Sequence, residues 1–77
     1  MYVLIRSYFE NGNEETEVVL RSENEKEVID RYNEELQKDK DFGYVEDLEY
    51  NKEYCVRLFL DYQENWNDYI EMYILKK

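Results

Sequence analysis

Three sequence patterns predict an α+β fold, in which one helix packs on a face of an antiparallel sheet of four to five strands, in the order ββαβββ. Two runs rich in β-branched and aromatic residues flank the dipeptide Asn11-Gly12, and one later segment carries apolar residues at helical spacing. After Gly43 the chain alternates apolar with polar residues. The length of 77 residues allows a single domain, residues 1–77, with a small core.

The first two strands are predicted to form a hairpin. Asn-Gly is the dipeptide that most favours a two-residue type I′ turn, because both central residues of that turn need a positive φ. Pairing Glu10 with Asn13 across the turn sets the register of the two strands. That register gives three further pairs: Ile5 with Val18, Val3 with Leu20, and Arg6 with Glu17. We therefore expect apolar residues to meet across the hairpin, and the one charged pair to be opposite in sign.

The next segment is predicted to be the helix. Ser22 followed by Glu25 is a capping-box pattern for its start, and the lysines near its far end suit the negative end of the helix dipole. An apolar stripe at helical spacing is expected to pack on the sheet: Val28, Ile29, Tyr32 and Leu36. The opposite face is charged, and three pairs lie four residues apart, where ion pairs form: Glu27–Arg31, Glu34–Lys38 and Lys26–Asp30.

The remaining strands are predicted from period-two patterns. The stretch "YVEDLEY" is a weak strand, and "YCVRLFLDY" and "YIEMYILKK" are stronger ones. In the two stronger runs the apolar residues share one face: Val56, Leu58 and Leu60, then Ile70, Met72 and Ile74. Arg57 and Asp61 fall on the other face, and the intervening "QENWND" is typical of a loop.

The composition argues against most catalytic and metal chemistry. The chain has no histidine and a single cysteine, Cys55, so it lacks the usual zinc ligand sets and the Ser-His or Cys-His arrangements of nucleophilic catalysis. Two glycines are too few for a phosphate-binding loop. We therefore expect a protein that is not an enzyme and carries neither cofactor nor metal.

The hydrophobic pattern argues against a membrane protein. No apolar run approaches 18 residues, and the start "MYVLIRSYF" lacks the basic and long apolar regions of a signal peptide. The apolar content of 43% is that of a chain that folds. We expect a soluble, intracellular protein, with no membrane contact.

Negative charge is concentrated in the middle of the chain. The formal net charge is −10, and residues 22–53 contribute −7 of it, from five basic and twelve acidic residues. Six acidic residues from Glu23 to Glu35 would span about 18 Å of helix, one per roughly 3 to 4 Å. One DNA strand carries a phosphate per about 3.4 Å of axis. These observations predict a basic, nucleic-acid-binding protein as partner, and they disfavour direct binding to nucleic acid.

The hairpin and the predicted cap resemble small phage-encoded anti-CRISPR proteins that inhibit the type II CRISPR nuclease by imitating DNA. The similar residues are Asn11-Gly12-Asn13-Glu14, then Val18 or Val19, then Ser22-Glu23-Asn24-Glu25 and Val28. In that family an acidic hairpin tip of this form enters the site where the nuclease reads its DNA recognition motif. The resemblance implies contact roles for Asn11, Asn13 and Glu14, and a location in the cytoplasm of a bacterial host cell.

The charged helix face and one aromatic residue complete the predicted partner-binding set, with Glu23, Glu27, Asp30, Glu34 and Trp66. Trp66 suits an interface anchor, or equally a cover for one end of the core. The expected function is stoichiometric inhibition of a CRISPR or restriction nuclease by DNA mimicry, as an anti-defence protein of a phage or mobile element. Two alternatives are an immunity protein or antitoxin that blocks a nuclease toxin, and a carboxylate-rich divalent-cation binder. The cation binder lacks a calcium-loop pattern.

Overall fold

The computed structural model describes residues 1–60 and 68–77 and has the predicted α+β architecture. In chain order the elements are β1 (Tyr2–Glu10), β2 (Asn13–Ser22), α1 (Glu25–Phe42), β3 (Tyr44–Glu46), β4 (Cys55–Leu60) and β5 (Tyr69–Lys76). The five strands form one antiparallel sheet in the order β2-β1-β5-β4-β3. The predicted order ββαβββ and the single helix on one face are confirmed. The weak third strand is only three residues long.

The hairpin register is confirmed near the turn and changes at a bulge. Glu10 pairs with Asn13, Arg6 with Glu17, and Ile5 with Val18, as expected. The predicted Val3–Leu20 pair is wrong, because the register shifts between Leu4 and Ile5. Val19 becomes an extra residue on β2, so that Leu20 pairs with Leu4 and Arg21 pairs with Val3.

The bulge changes which side chains reach the core. Successive residues of a strand point to opposite faces, and one inserted residue reverses the phase of everything beyond it. Leu20 therefore faces the helix together with Leu4, and Val19 also packs against the core cluster. Val18, which strict alternation placed in the core with Leu20, is 46% exposed on the other side of the sheet.

The helix starts two residues later than the capping pattern predicted. Asn24 is the N-cap: its side-chain oxygen accepts hydrogen bonds from the backbone N–H groups of Lys26 at 3.0 Å and Glu27 at 3.4 Å. Ser22 closes β2 instead, and its hydroxyl accepts a hydrogen bond from the Asn24 N–H at 3.0 Å. Ser22 is still paired with Tyr2 in the sheet, and a residue held in a ladder is not placed to cap the first helical turn.

The core lies between α1 and one face of the sheet. The predicted stripe contributes Val28 and Tyr32 as buried residues, and Leu36 packs against them. Its fourth member, Ile29, is half-buried and does not belong to this core cluster. The sheet contributes five buried residues: Leu4, Val56, Leu58, Ile70 and Met72. The faces predicted for the last two strands are thus confirmed where they are described, while Asp61 lies outside the described residues. Only this face of the sheet is covered by the helix.

Candidate functional site

The predicted contact residues of the hairpin tip are all exposed. Asn11 and Gly12 have φ values of 52° and 80°, as the two central residues of a type I′ turn require. Asn11, Asn13 and Glu14 are exposed there. The Asn11 backbone N–H donates a hydrogen bond to Asp68 Oδ1 at 3.0 Å, which ties the tip to the chain just before β5. The tip is therefore a fixed projection at one end of the sheet.

The predicted acidic residues of the helix are exposed, but most of their charge is balanced nearby. Asp30 lies 2.8 Å from the Lys26 ammonium, and Glu34 lies 3.4 Å from that of Lys38, which confirms two of the predicted pairs. The third predicted pair, Glu27–Arg31, is wrong. Arg31 Nε instead lies 2.9 Å from Glu35 Oε1, on the side of the helix nearer the sheet, and Glu27 accepts a hydrogen bond from the Ser22 hydroxyl at 3.2 Å.

The predicted residues do not form one patch. Glu23 lies beside the chain's first residue, with its carboxylate 3.5 Å from the amino-terminal ammonium, and Glu27 contacts Ser22 at the end of β2. The hairpin tip lies at the opposite end of that ten-residue strand, a separation of about 30 Å at the usual rise per residue. Trp66 falls outside the described residues.

A second group of acidic residues, which the predicted set left out except for Glu14, lies along the hairpin. We call it the acidic hairpin: Glu10, Glu14, Glu15 and Glu17. All four side chains are exposed, and in the part of the chain that the structure describes none of them forms a salt bridge with a lysine, an arginine or the amino terminus. The sequence carried the signal, since residues 7–20 contain no basic residue at all.

The position of β2 makes these charges accessible. β2 is one edge of the sheet, and residues 13–18 are all exposed. A row of charges on an edge strand is also a device against pairing with other strands. Four carboxylates without a salt bridge on the edge hairpin of the sheet nevertheless create a stronger local field than carboxylates with a lysine beside them.

A buried ionic cluster holds α1 against β1, next to the acidic hairpin. Arg6, which β1 points toward the helix, contacts Asp39 Oδ1 through Nη2 at 2.5 Å and Glu35 through Nη1 at 3.6 Å. Arg6 and Asp39 are only 8% and 7% exposed. Burial lowers the pKa of Arg6, while the hydrogen bond and the charge of Asp39 raise it, and the net effect is a raised pKa. Arg6 is thus held as a cation.

The Tyr8 side chain connects the ionic cluster to the acidic hairpin. The Arg6 guanidinium carbon lies 5.3 Å from the centre of the Tyr8 ring, and the Tyr8 hydroxyl donates a hydrogen bond to Glu17 Oε1 at 3.1 Å. Burial is the main cause of the raised pKa of Tyr8. The Tyr8 hydroxyl keeps its proton at neutral pH, so it remains the hydrogen-bond donor that orients Glu17.

Within residues 1–60 and 68–77, no three acidic or cysteine side chains converge to form a metal site. The divalent-cation alternative therefore finds no ligand set in this part of the chain. Among the same residues, no helix combines the length and apolar character needed to cross a membrane.

Comparisons with protein-family models, with curated proteins and with solved structures find no match. The resemblance to anti-CRISPR proteins rests on residues 11–28 and stays a prediction.

Proposed function

We propose that this protein is a stoichiometric inhibitor of a basic nucleic-acid-binding protein, a CRISPR or restriction nuclease of the bacterial cytoplasm, and acts for a phage or mobile element by DNA mimicry. The observation that carries the proposal is the acidic hairpin, with four exposed carboxylates that form no salt bridge among the described residues. A site built to bind phosphates with arginine and lysine accepts carboxylates by the same charge-assisted hydrogen bonds.

The spacing of these carboxylates can be compared with that of the phosphates along DNA. A strand rises about 3.4 Å per residue, and one DNA strand carries a phosphate per about 3.4 Å of axis. Glu15 and Glu17 share one face of β2 and lie about 6.8 Å apart along it, which is about twice the axial spacing of phosphates, whereas Glu14 points to the opposite face. The net charge of −10 also repels nucleic acid, so the protein competes with DNA and does not bind it.

The partner is found by a pull-down from a bacterial lysate at low and moderate salt, with mass spectrometry of the eluted proteins. We expect a nuclease or other DNA-handling protein that is lost as salt rises, because exposed charge pairs are screened. The identity of that protein, a defence nuclease or a toxin, decides between the anti-defence role and the immunity role. A gel shift of duplex or single-stranded DNA by the purified protein would contradict both.

The role of the acidic hairpin is tested with the triple variant Glu14→Gln, Glu15→Gln, Glu17→Gln. Association with the captured partner should slow by about tenfold and depend less on salt, because charges across an interface mainly set the association rate. The matched control is Asp30→Asn with Glu34→Gln, which removes exposed carboxylates that lysines already balance. Equal association rates for the two variants would show that the hairpin charges play no special part.

A further inference from the structure

The sheet has a second face, which no helix of the described residues covers. On β1 this helix-free face carries Val3, Ile5, Ser7 and Phe9, because the alternate residues Leu4 and Arg6 point to α1. Val3 is 3% exposed but does not belong to the core cluster. The opposed residues on β2 and β5 share this face: Thr16 and Val18, then Tyr69, Glu71, Tyr73 and Leu75.

This face is more apolar than a solvated sheet face needs to be. Val18 is 46% exposed and Leu75 is 40% exposed, and Ile5 and Tyr73 lie between them as half-buried residues. Ile5 pairs with Val18 on one side and with Tyr73 on the other, so the apolar surface is continuous across three strands. An antiparallel sheet with one face in water normally shows polar residues there.

Two pairs of polar side chains on the helix-free face contact each other. Ser7 Oγ and Thr16 Oγ1 lie 3.0 Å apart. Arg57 Nη2 lies 2.6 Å from Glu71 Oε1, and the guanidinium stacks between the rings of Tyr50 at 3.9 Å and Tyr69 at 4.4 Å. A partner could therefore cover these two pairs without leaving a charge or a hydroxyl of theirs unpaired.

Strand β2 places opposite charges at the two ends of the same face. Glu14 pairs with Phe9 near the hairpin tip, and Arg21 pairs with Val3 beyond the bulge. Phe9 and Val3 both lie on the helix-free face, so Glu14 and Arg21 do too. Both are exposed, and within the described residues neither forms a salt bridge. Along β2 the face thus runs from an acidic end through Val18 to a basic end.

We propose that a second copy of this chain docks on the helix-free face and forms a two-fold symmetric dimer. A two-fold axis between the stacked sheets and perpendicular to the strands lays β2 of one copy antiparallel over β2 of the other. Glu14 of each copy then meets Arg21 of the other, and Val18 lies near the axis. A two-fold interface must be self-complementary, and this charge order satisfies that condition.

The charge distribution favours this face over the others for self-association. Two copies that met through the acidic hairpin or the outer side of α1 would bring like charges together. The helix-free face instead carries the Arg57–Glu71 ion pair in its middle and charges of opposite sign, Glu14 and Arg21, at its two ends. The five strands hold 36 residues in all, which at about 3.4 Å by 4.8 Å per residue give a sheet area of about 590 Å². That is about three quarters of the roughly 800 Å² per partner of a standard specific interface.

The dimer goes beyond the proposed function and is compatible with it. Glu15 and Glu17 pair with Tyr8 and Arg6, which face the helix side, so they stay outside the buried face. The antiparallel arrangement directs the two hairpin tips to opposite ends. Glu14 is engaged by Arg21 of the other copy, so each hairpin of the dimer presents Glu10, Glu15 and Glu17 to a basic surface.

Sedimentation velocity of the purified protein from low to high micromolar concentration tests the dimer without any partner. At physiological ionic strength, where the Debye length is about 8 Å, we expect a concentration-dependent dimer. Val18→Ser with Leu75→Ser should convert it to a monomer. The matched control is Phe42→Ser, which alters a 71% exposed apolar residue of α1 and should leave the dimer intact. A wild-type protein that stays monomeric throughout the range overturns the proposal.

Charge reversal tests the register of the dimer. Glu14→Arg or Arg21→Glu alone should raise the dissociation constant of the dimer at least about tenfold, since each change creates two like-charge contacts. The double variant Glu14→Arg, Arg21→Glu exchanges the two charges, so the dissociation constant of its dimer should return close to the wild-type value. Both residues are exposed, so folding is not at stake, and melting curves check this. If the dimer of the double variant is as weak as the dimers of the single variants, the proposed antiparallel stacking of β2 on β2 is wrong. This outcome does not depend on the result of the pull-down.

Discussion

At the scale of single residues, the contact between Arg6 and Asp39 governs how the helix sits on the sheet. Its two residues are 33 positions apart in the chain and almost fully buried. Arg6 Nε and Asp39 Oδ2 are buried and have no hydrogen-bond partner among residues 1–60 and 68–77. A buried ion pair is costly to desolvate, so its net contribution to stability is small, but removing one partner strands the other charge in the interior.

Asp39→Asn should therefore lower the free energy of unfolding by about 3 kcal/mol. The reason is that Arg6 keeps its charge and retains only the more distant Glu35. Chemical denaturation with urea measures the change. Lys26→Ala, which breaks an exposed pair with Asp30, is the control and should cost less than about 1 kcal/mol. The double variant Arg6→Met, Asp39→Leu should recover most of the loss. A cost for Asp39→Asn no larger than that of the control would contradict this account.

At the scale of elements, the start of α1 depends on Asn24 and the end on Gly43. The Asn24 side chain accepts hydrogen bonds from two N–H groups of the first turn. Gly43 has a φ of 123°, and its N–H donates to the carbonyl oxygens of Asp39 at 3.2 Å and Lys40 at 3.1 Å. Both ends of the helix are thus closed by local chemistry.

Asn24→Ala should lower the stability of the protein by about 1 kcal/mol, because two N–H groups at the helix start lose their acceptor. Ser22→Ala should cost less, since the Ser22 hydroxyl bonds to the loop N–H of Asn24 and to an exposed carboxylate. Thermal unfolding followed by circular dichroism ranks the two variants. If Ser22→Ala proves the more damaging, the hydroxyl and not the asparagine organises the helix start.

At the scale of the whole molecule, a net charge of −10 on a chain of 77 residues opposes the compact state. The eight salt bridges within the described residues leave the acidic hairpin unbalanced. Repulsion among exposed charges extends over about 30 Å at 0.01 M ionic strength and about 10 Å at 0.1 M. Salt should thus stabilise the fold while it weakens binding to a basic partner.

The melting temperature of the protein should accordingly rise as NaCl is raised from about 0.01 M to about 0.1 M, over the range in which the screening length shortens threefold. The triple variant Glu14→Gln, Glu15→Gln, Glu17→Gln has a net charge of −7 in place of −10 and should show a smaller rise. Differential scanning calorimetry at fixed protein concentration measures both. A melting temperature that falls with salt would mean that attraction between surface charges outweighs repulsion.

The sequence by itself determined the order of elements, the turn at Asn11-Gly12 and the buried stripe of the helix. These features depend on residues close together in the chain, where turn chemistry and the period of apolar residues decide the conformation. The same local logic gave the correct register near the turn.

Only the tertiary structure decided the bulge at Val19, the partner of Arg6 and the acidic residues that lack a cation. The bulge follows from packing, since Leu20 reaches the core through it and Arg21 moves to the helix-free face. Glu17 lies opposite Arg6 in the sheet, yet Arg6 contacts Asp39 because the helix passes over its side of β1. These contacts depend on distances between residues far apart in the chain, which a one-dimensional pattern does not encode. The acidic hairpin could therefore be recognised as a surface without salt bridges only from the positions of the lysine and arginine side chains in the structure.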